Sequence, residues 1–146
     1  MAIWFHSENV PTLKISPKRE LKTWIEQVIY FYDKIPGDIN FIFLTDEQLL
    51  EINRTYLNHD FFTDVISFDF VSGNTISGDV FISVQRILEN AKLYKVDFSE
   101  EFLRVIIHGV LHFIGFKDKT DDEKKHMREK ENAHLRTVKG VIIISV

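Results

Sequence analysis

Hydrophobic positions along the first third of the chain predict a strand, a helix and a second strand. After Pro17, apolar residues recur at the spacing of an amphipathic helix that begins near this proline. These positions are Leu21, Trp24, Ile25, Val28, Ile29 and Tyr32. The segment 2–6 and the apolar run 39–44 are predicted as strands, and Pro36-Gly37 is predicted to end the helix between them.

The middle of the chain predicts two more helices and two more strands. Thr45 and Gln48 have the spacing of a capping box, which predicts a helix that ends near Tyr56. Residues 64–70 alternate between apolar and polar side chains, as strands with one buried face do. Another strand is predicted over residues 79–83, and a helix is predicted to follow it to about Lys95.

The last third is predicted to be mainly helical. A long apolar helix is expected to be capped by Ser99 and stopped by Gly115. A capping box at Thr120 predicts a charged helix over about 121–136. The tail 141–146 fits either an edge strand or an irregular segment.

Composition supports a folded domain and excludes several kinds of chemistry. The 146 residues are 45% hydrophobic, so we expect one α/β (α+β) domain over 1–146, with about five helices packed on a mixed sheet of about four strands. The lack of cysteine excludes disulfides, thiolate metal ligands and a cysteine nucleophile. No segment resembles a signal peptide or a membrane span, so we expect a cytoplasmic protein without membrane contact. The net charge of −4 argues against non-specific binding to nucleic acid.

Two histidines in the long apolar helix have the spacing of metal ligands. His108 and His112 are four residues apart, so their rings project from one helix face and can bind one ion. Gly115 permits the conformation that ends a helix, and the turn can carry the carboxylate of Asp118 back toward the pair. A shared metal also provides the partner that buried imidazoles need. Three protein ligands leave one position open, as in catalytic zinc sites.

The residue after His108 argues against a protease. Zinc proteases of the H-E-x-x-H-x-x-G type have a glutamate there as general base, whereas this chain has Gly109. We expect Gly109 to leave space above the metal for a bulky substrate group. His126 is the competing third ligand, but it is disfavoured against Asp118 because the Gly115 turn does not constrain the helix that carries it.

Three segments resemble one protein family. The segment His108-Gly-Val-Leu-His-Phe-Ile-Gly-Phe-Lys-Asp118 is similar to the signature of the YbeY family of bacterial rRNA-processing endoribonucleases. Residues 52–68 resemble the family pattern L-N-x-x-[FY]-R-x-x-D-x-P-T-D-V-L-S-F, and residues 78–83 resemble the Gly-Asp-Ile strand that follows it. The three matches occur in the family's order.

The resemblance implies a zinc-dependent, single-strand-specific endoribonuclease with a small α/β fold and a zincin-like metal helix. It implies action in 3′-end maturation of small-subunit ribosomal RNA and in ribosome quality control, with ribosomal RNA and the small subunit as partners. His108, His112 and Asp118 are the implied zinc ligands, for one ion per chain. A monomer is expected, and no nucleophile or general base is assigned.

Two positions depart from the family pattern. The family usually has a third histidine where Asp118 stands, and a carboxylate there reduces the positive charge of the site and favours harder divalent metals. The arginine that the family is thought to use for substrate phosphate falls at Leu57, and its proline falls at Phe62. Arg54, three residues before Leu57, is the candidate replacement for the phosphate contact.

Two other functions remain open. One is a ribosome-associated assembly factor whose metal site is mainly structural, and the other is a metal-dependent hydrolase of another bond. Residues 117–130 mix six basic with five acidic side chains, so we expect a solvated helix face there and not an RNA-binding stripe. Phe61 and Phe62 are candidates for stacking on unpaired bases, and His59 and Asp60 for substrate contact.

Overall fold

The computed structural model describes residues 2–7, 13–57, 65–138 and 142–145. Its elements are β1 (Ala2–Ser7), β2 (Leu13–Ser16), α1 (Lys18–Phe31), β3 (Ile35–Leu44), α2 (Asp46–Leu57), β4 (Val65–Asp69), β5 (Thr75–Ser83), α3 (Val84–Tyr94), α4 (Phe98–Ile114), α5 (Asp121–Leu135) and β6 (Ile142–Ser145). The five helices and interleaved strands confirm the predicted α/β class. In this part of the chain, no helix combines the length and apolar character that crossing a membrane requires.

The main sheet is mixed, as predicted, and has the strand order β1-β3-β5-β4. Strand β3 pairs in parallel with β1 and with β5, whereas β4 runs antiparallel to β5. A second sheet joins β2 to β6 in antiparallel register. Residues 142–145 therefore form a strand, which decides between the two alternatives for the tail, and their partner β2 was not predicted.

The core lies between the main sheet and helices α1 and α4. Helix α4 packs against β4 and β5 on the sheet side and against α3 and α5 on its flanks. Phe43 of β3 stacks on Phe102 of α4 with 5.2 Å between ring centroids, and both rings are almost fully buried. This burial on several sides explains why the α4 sequence is apolar nearly all round.

Both predicted capping boxes are confirmed, as are the helix start at Pro17 and the helix end at Gly115, whereas two other predicted helix ends are wrong. In the capping boxes at Thr45 and Thr120, each threonine hydroxyl accepts from the backbone N–H three residues later. The side chain of that later residue accepts in turn from the threonine's own backbone N–H. Helix α4 begins at Phe98 after the N-cap Asp97, so Ser99 lies inside the first turn and is not the cap. Helix α1 ends at Phe31, and Pro36-Gly37 belong to β3 because the chain has already joined the sheet at Ile35.

The C-terminal end of α5 is tied to α1 through His134. Its backbone carbonyl accepts from the Trp24 indole at 3.0 Å, and its Nε2 lies 2.6 Å from the Tyr32 hydroxyl, which can donate to a neutral ring. Burial, with a smaller contribution from nearby Lys130, lowers the pKa of His134. The lowered pKa means that the folded protein favours the neutral form of this ring, because burial penalises the charged imidazolium.

His134 is expected to make the stability of the fold depend on pH. Because its pKa is lower in the folded chain than in the unfolded chain, its stabilisation is present above about pH 6.5 and is lost as the pH falls through the folded pKa. In chelator, the free energy of unfolding should fall less steeply with acidification for His134→Gln than for the wild type. His126→Gln, at an exposed position of the same helix, is the control, and its free energy of unfolding should keep the wild-type dependence on pH. Equal slopes for His134→Gln and the wild type would contradict the assignment.

Candidate metal centre

Helix α4 presents two imidazoles from one face, one turn apart. Both rings are partly buried, and the Nε2 atoms of His108 and His112 lie 2.9 Å apart. The rings meet edge to face with 4.5 Å between their centroids. The four-residue spacing in the sequence therefore brings the two nitrogen atoms to a common point, as predicted.

The end of α4 returns a carboxylate to the same point. Gly115 has a φ of 122° and ends the helix in a Schellman arrangement, in which the Gly115 N–H bonds to the His112 carbonyl and the Phe116 N–H to the Leu111 carbonyl. The reversed chain places Oδ2 of Asp118 3.2 Å from His108 Nε2 and 3.5 Å from His112 Nε2. The turn at Gly115 thus brings Asp118 to the histidine pair.

The three donor atoms have the spacing of ligands around one small ion. Their separations are 2.9, 3.2 and 3.5 Å. Two ligands about 2.0–2.1 Å from a tetrahedral ion lie about 3.3–3.4 Å apart, so the triangle fits a zinc-sized ion with small adjustments. Within the ranges that the structure describes, His108, His112 and Asp118 are the one group of three or more histidine or carboxylate ligands so placed.

The second nitrogen of each ring is held by another part of the chain. Nδ1 of His108 lies 2.7 Å from Oε2 of Glu131, and Nδ1 of His112 lies 3.0 Å from the Phe116 carbonyl oxygen. Because a carboxylate and a carbonyl only accept, both rings donate through Nδ1–H. The lone pairs on Nε2 are then directed to the common point, which is the tautomer that a metal requires.

Glu131 also connects the site to a partly buried cation. It is 5% exposed on α5, and its Oε1 accepts from the Arg104 guanidinium at 3.1 Å. Glu101, one helical turn before Arg104, lies 3.9 Å from it and is buried as well. The carboxylate of Glu131 therefore bridges Arg104 and His108, so that α5 fixes the orientation of a ring on α4.

Electrostatics favour a neutral imidazole at the second position. Burial, followed by the neighbouring His108, lowers the pKa of His112, although Asp118 and the Phe116 carbonyl act in the opposite direction. A neutral ring at pH 7 is the form that offers a lone pair to a cation.

Glu131 and Arg104 are site residues that the sequence did not predict. Glu131 is separated from His108 by 23 residues, so no local spacing relates them. A weak signal exists in α5 itself, whose buried residues are Met127, Glu131 and His134. Glu131 is four residues after Met127 and therefore lies on the same buried face of α5. Because a buried carboxylate needs a polar partner, this pattern could have identified Glu131.

The expectation that Gly109 leaves space above a metal is wrong. The backbone of Gly109 faces β5, and a Cβ added there would lie 3.0 Å from Cγ1 of Val80. The glycine therefore lets α4 approach the sheet closely, and the predicted space above a metal is not its role.

The other predicted residues lie away from the three donor atoms or outside the described ranges. His126 is exposed on α5 and contacts the Phe116 ring at 5.8 Å between centroids. Arg54 lies on α2 with a guanidinium nitrogen 3.9 Å from Glu51, and Leu57 is 40% exposed at the end of that helix. The candidate substrate contacts His59, Asp60, Phe61 and Phe62 lie outside the described residues.

A cleft of about 330 Å³ opens beside the donor atoms, between α3, α4 and α5. His108 and Asp118 form part of its wall, and Arg104 and Glu131 also line it. A ligand in this cleft therefore reaches the point where the donor atoms converge. Arg54 is not among the residues that line it.

The matching family description and the curated relatives agree on one family. The chain matches the family described as Endoribonuclease YbeY over residues 6–139. Endoribonuclease YbeY of Christiangramia forsetii is 50% identical over 131 residues, which cover 90% of each chain. Endoribonuclease YbeY of Parabacteroides distasonis is 45% identical over 137 residues, or 92% of this chain and 94% of the relative. The solution structure of a protein from Thermotoga maritima is similar with a TM-score of 0.62 at 25% identity, covering 94% of this chain and 89% of that one.

Glu131→Gln is expected to weaken zinc binding by about 10- to 100-fold, because the neutral amide is a poorer acceptor for the His108 Nδ1–H. Competition against a chromogenic chelator measures the change. Glu129→Gln, at an exposed position of the same helix, should bind zinc as the wild type does. Unchanged affinity in Glu131→Gln would show that the hydrogen bond does not tune the site.

Proposed function

This chain belongs to the endoribonuclease YbeY family, and from that premise we propose that it is a zinc-dependent endoribonuclease that cleaves single-stranded RNA. The observation that carries the proposal is the convergence of two imidazole nitrogens and one carboxylate oxygen beside an open cleft. Nitrogen and oxygen ligands of this kind suit zinc and also manganese or iron.

His108, His112 and Asp118 would hold the ion through Nε2, Nε2 and Oδ2. A bound divalent ion supplies Lewis acidity for the phosphodiester that is cleaved. The chain's own contribution is to orient the ligands: Glu131 fixes the ring of His108, and the Phe116 carbonyl fixes the ring of His112. Because the His108 and His112 rings are only partly buried, an RNA strand in the cleft can approach the ligand atoms from the solvent side.

We propose that Arg54 contacts a phosphate of the RNA. It does not line the cleft that lies beside His108. It is exposed on α2 and close to Glu51. An RNA strand that extends from the cleft toward β4 would pass the end of α2, because α2 packs on β4 and β5. Arg54 would then contact a phosphate at a distance from the scissile bond.

The proposed biological role is 3′-end maturation of small-subunit ribosomal RNA and ribosome quality control. This role places the protein in the cytoplasm with the small ribosomal subunit as its partner. We propose that residues 1–146 form one endoribonuclease domain that acts as a monomer. Family membership supports this role over the two alternatives, a structural metal site in an assembly factor and the hydrolysis of another bond.

RNA cleavage by the purified protein tests the activity. Single-stranded RNA should be cleaved internally, cleavage should stop in chelator and return on addition of zinc, and a duplex of the same sequence should resist. His108→Ala, prepared in the same way, controls for contaminating nucleases. Cleavage that persists in His108→Ala, or RNA that stays intact with the zinc-loaded wild type, would contradict the proposal.

Substitutions at the third ligand test the donor set. The wild type should carry about one divalent ion per chain, whereas Asp118→Ala should bind zinc at least about 10- to 100-fold more weakly and lose activity. Asp118→His should restore binding and lower the pH at which activity rises, because the site regains positive charge. His126→Ala should change neither property. Metal loss in His126→Ala with normal metal content in Asp118→Ala would assign the third ligand to His126.

A further inference from the structure

We propose that the cleft between α3 and α5 binds one unpaired nucleotide next to the cleaved linkage, with its base on Tyr94 and its phosphate at Lys124 and Arg128. The inference rests on the proposed function, and it identifies where the RNA strand lies relative to the donor atoms. The observation behind this proposal is that Tyr94, Lys124 and Arg128 line the same cleft as His108 and Asp118.

The cleft has the size and position of a site for one nucleotide. Its volume of about 330 Å³ is near the lower end of the range for small-molecule sites, about 300–1,000 Å³. Asn90 and Tyr94 line it from α3, and Lys124 and Arg128 line it from α5. Because His108 and Asp118 belong to the same wall, a nucleotide between the two helices has its sugar-phosphate within reach of the donor atoms.

Tyr94 provides a surface on which a base can stack. It is the last residue of α3, and its side chain is 52% exposed. The guanidinium carbon of Arg128 lies 6.0 Å from the centre of the Tyr94 ring, which is the outer limit of a cation–π contact. A flat, π-bearing base can stack on the exposed ring, and the guanidinium that lies over the ring is then next to the nucleotide. The amide of Asn90, one turn earlier on α3, can bond to a base edge.

Lys124 and Arg128 provide positive charge on the opposite wall. They are four residues apart on α5 and therefore project from the same face. Among the described residues, neither forms an ion pair with a carboxylate. Arg104, deeper in the cleft, differs because Glu131 binds its guanidinium. The two α5 cations are thus the ones that remain available to a phosphate.

This placement changes the interpretation of the charged segment 117–130. As a whole the segment is balanced in charge, but the charged residues that it contributes to the cleft wall are Lys124, Arg128 and Asp118. Two further acids, Glu101 and Glu131, also line the cleft, and both lie against Arg104. An aromatic ring, an amide and two cations around a small cleft match a nucleotide better than they match a peptide. Stacking on Tyr94 also requires a base that is free of its own pairing partner, so the same contact would favour single strands.

Binding of a short fluorescein-labelled single-stranded RNA, measured by anisotropy in EDTA, tests the site without cleavage. Tyr94→Leu should weaken binding by about 5- to 150-fold, because leucine fills space but cannot stack. Tyr94→Phe should bind as the wild type does. The matched control is Tyr30→Leu, since Tyr30 is a 53% exposed tyrosine on α1, outside the cleft. Affinity for a duplex of the same sequence should not respond to Tyr94→Leu.

The salt dependence of binding tests the two cations separately from the ring. Lys124→Ala and Arg128→Ala should each reduce the slope of log affinity against log salt concentration by about 0.7, the value for one phosphate contact to a single strand. Arg19→Ala is the control, because Arg19 is 88% exposed on α1 and remote from the cleft. A merely structural role for either cation would change stability and leave this slope unchanged.

The outcomes separate the nucleotide site from the proposed activity. If the wild type cleaves and binds single-stranded RNA but Tyr94→Leu binds it equally well, or Tyr30→Leu loses as much affinity, the nucleotide site is wrong and the endoribonuclease proposal stands. Unchanged salt slopes in both α5 variants would remove the phosphate part of the site. If the wild type neither binds nor cleaves RNA, the proposed function fails and the nucleotide site with it.

Discussion

The hydrogen bond between the buried carboxylate of Glu131 and His108 is the interaction on which the site and its surroundings depend. It directs Nε2 of His108 toward the partner atoms on His112 and Asp118, and the same carboxylate balances the charge of the partly buried Arg104. A buried carboxylate needs both of these partners to offset its desolvation. Helix α5 must therefore lie against α4 in one orientation, which the capping box at Thr120 and the turn at Gly115 make possible.

The arrangement explains how an apolar helix can carry the two converging histidines. Helix α4 packs against the sheet and three other helices, so its position is fixed on several sides. Gly109 lets it approach Val80 closely, and the histidines project from the side where α5 and the cleft lie. Ligands on a rigid, packed helix keep their geometry better than ligands on a loop, which suits a site that must present three atoms to one ion.

The parts of the site that follow local rules could be predicted from the sequence. The spacing of His108, His112, Gly115 and Asp118 is short, and helix geometry together with one glycine turn determines the outcome. Glu131 could not be placed in the same way, because its contact depends on how α5 packs on α4. The pairing of β2 with β6 was missed for a similar reason, since it joins residues near opposite ends of the chain. The error at Ser99 is different: Asp97 precedes it with equal capping character, and the helix begins after Asp97.

The charge distribution explains how an acidic protein can bind a polyanion. The net charge is −4, so the overall field repels RNA, and local cations must overcome that repulsion. Lys124 and Arg128 line the cleft without a carboxylate partner among the described residues, whereas Arg104, which also lines it, is bound to Glu131. Arg86 is bound to Asp46 at 3.0 Å. Basic residues therefore divide into those that hold the fold and those that face the ligand, and the sequence alone does not distinguish the two groups.

X-ray absorption spectroscopy at the zinc edge, on the zinc-loaded protein, reports the donor set at the ion itself. We expect two imidazole nitrogens and at least one oxygen as ligands, about 2.0–2.2 Å from the ion. Asp118→His should then give three imidazoles, and His126→Ala should leave the wild-type spectrum unchanged. A wild-type spectrum with no imidazole scattering, or with three imidazoles of which one disappears in His126→Ala, would contradict a site formed by His108, His112 and Asp118.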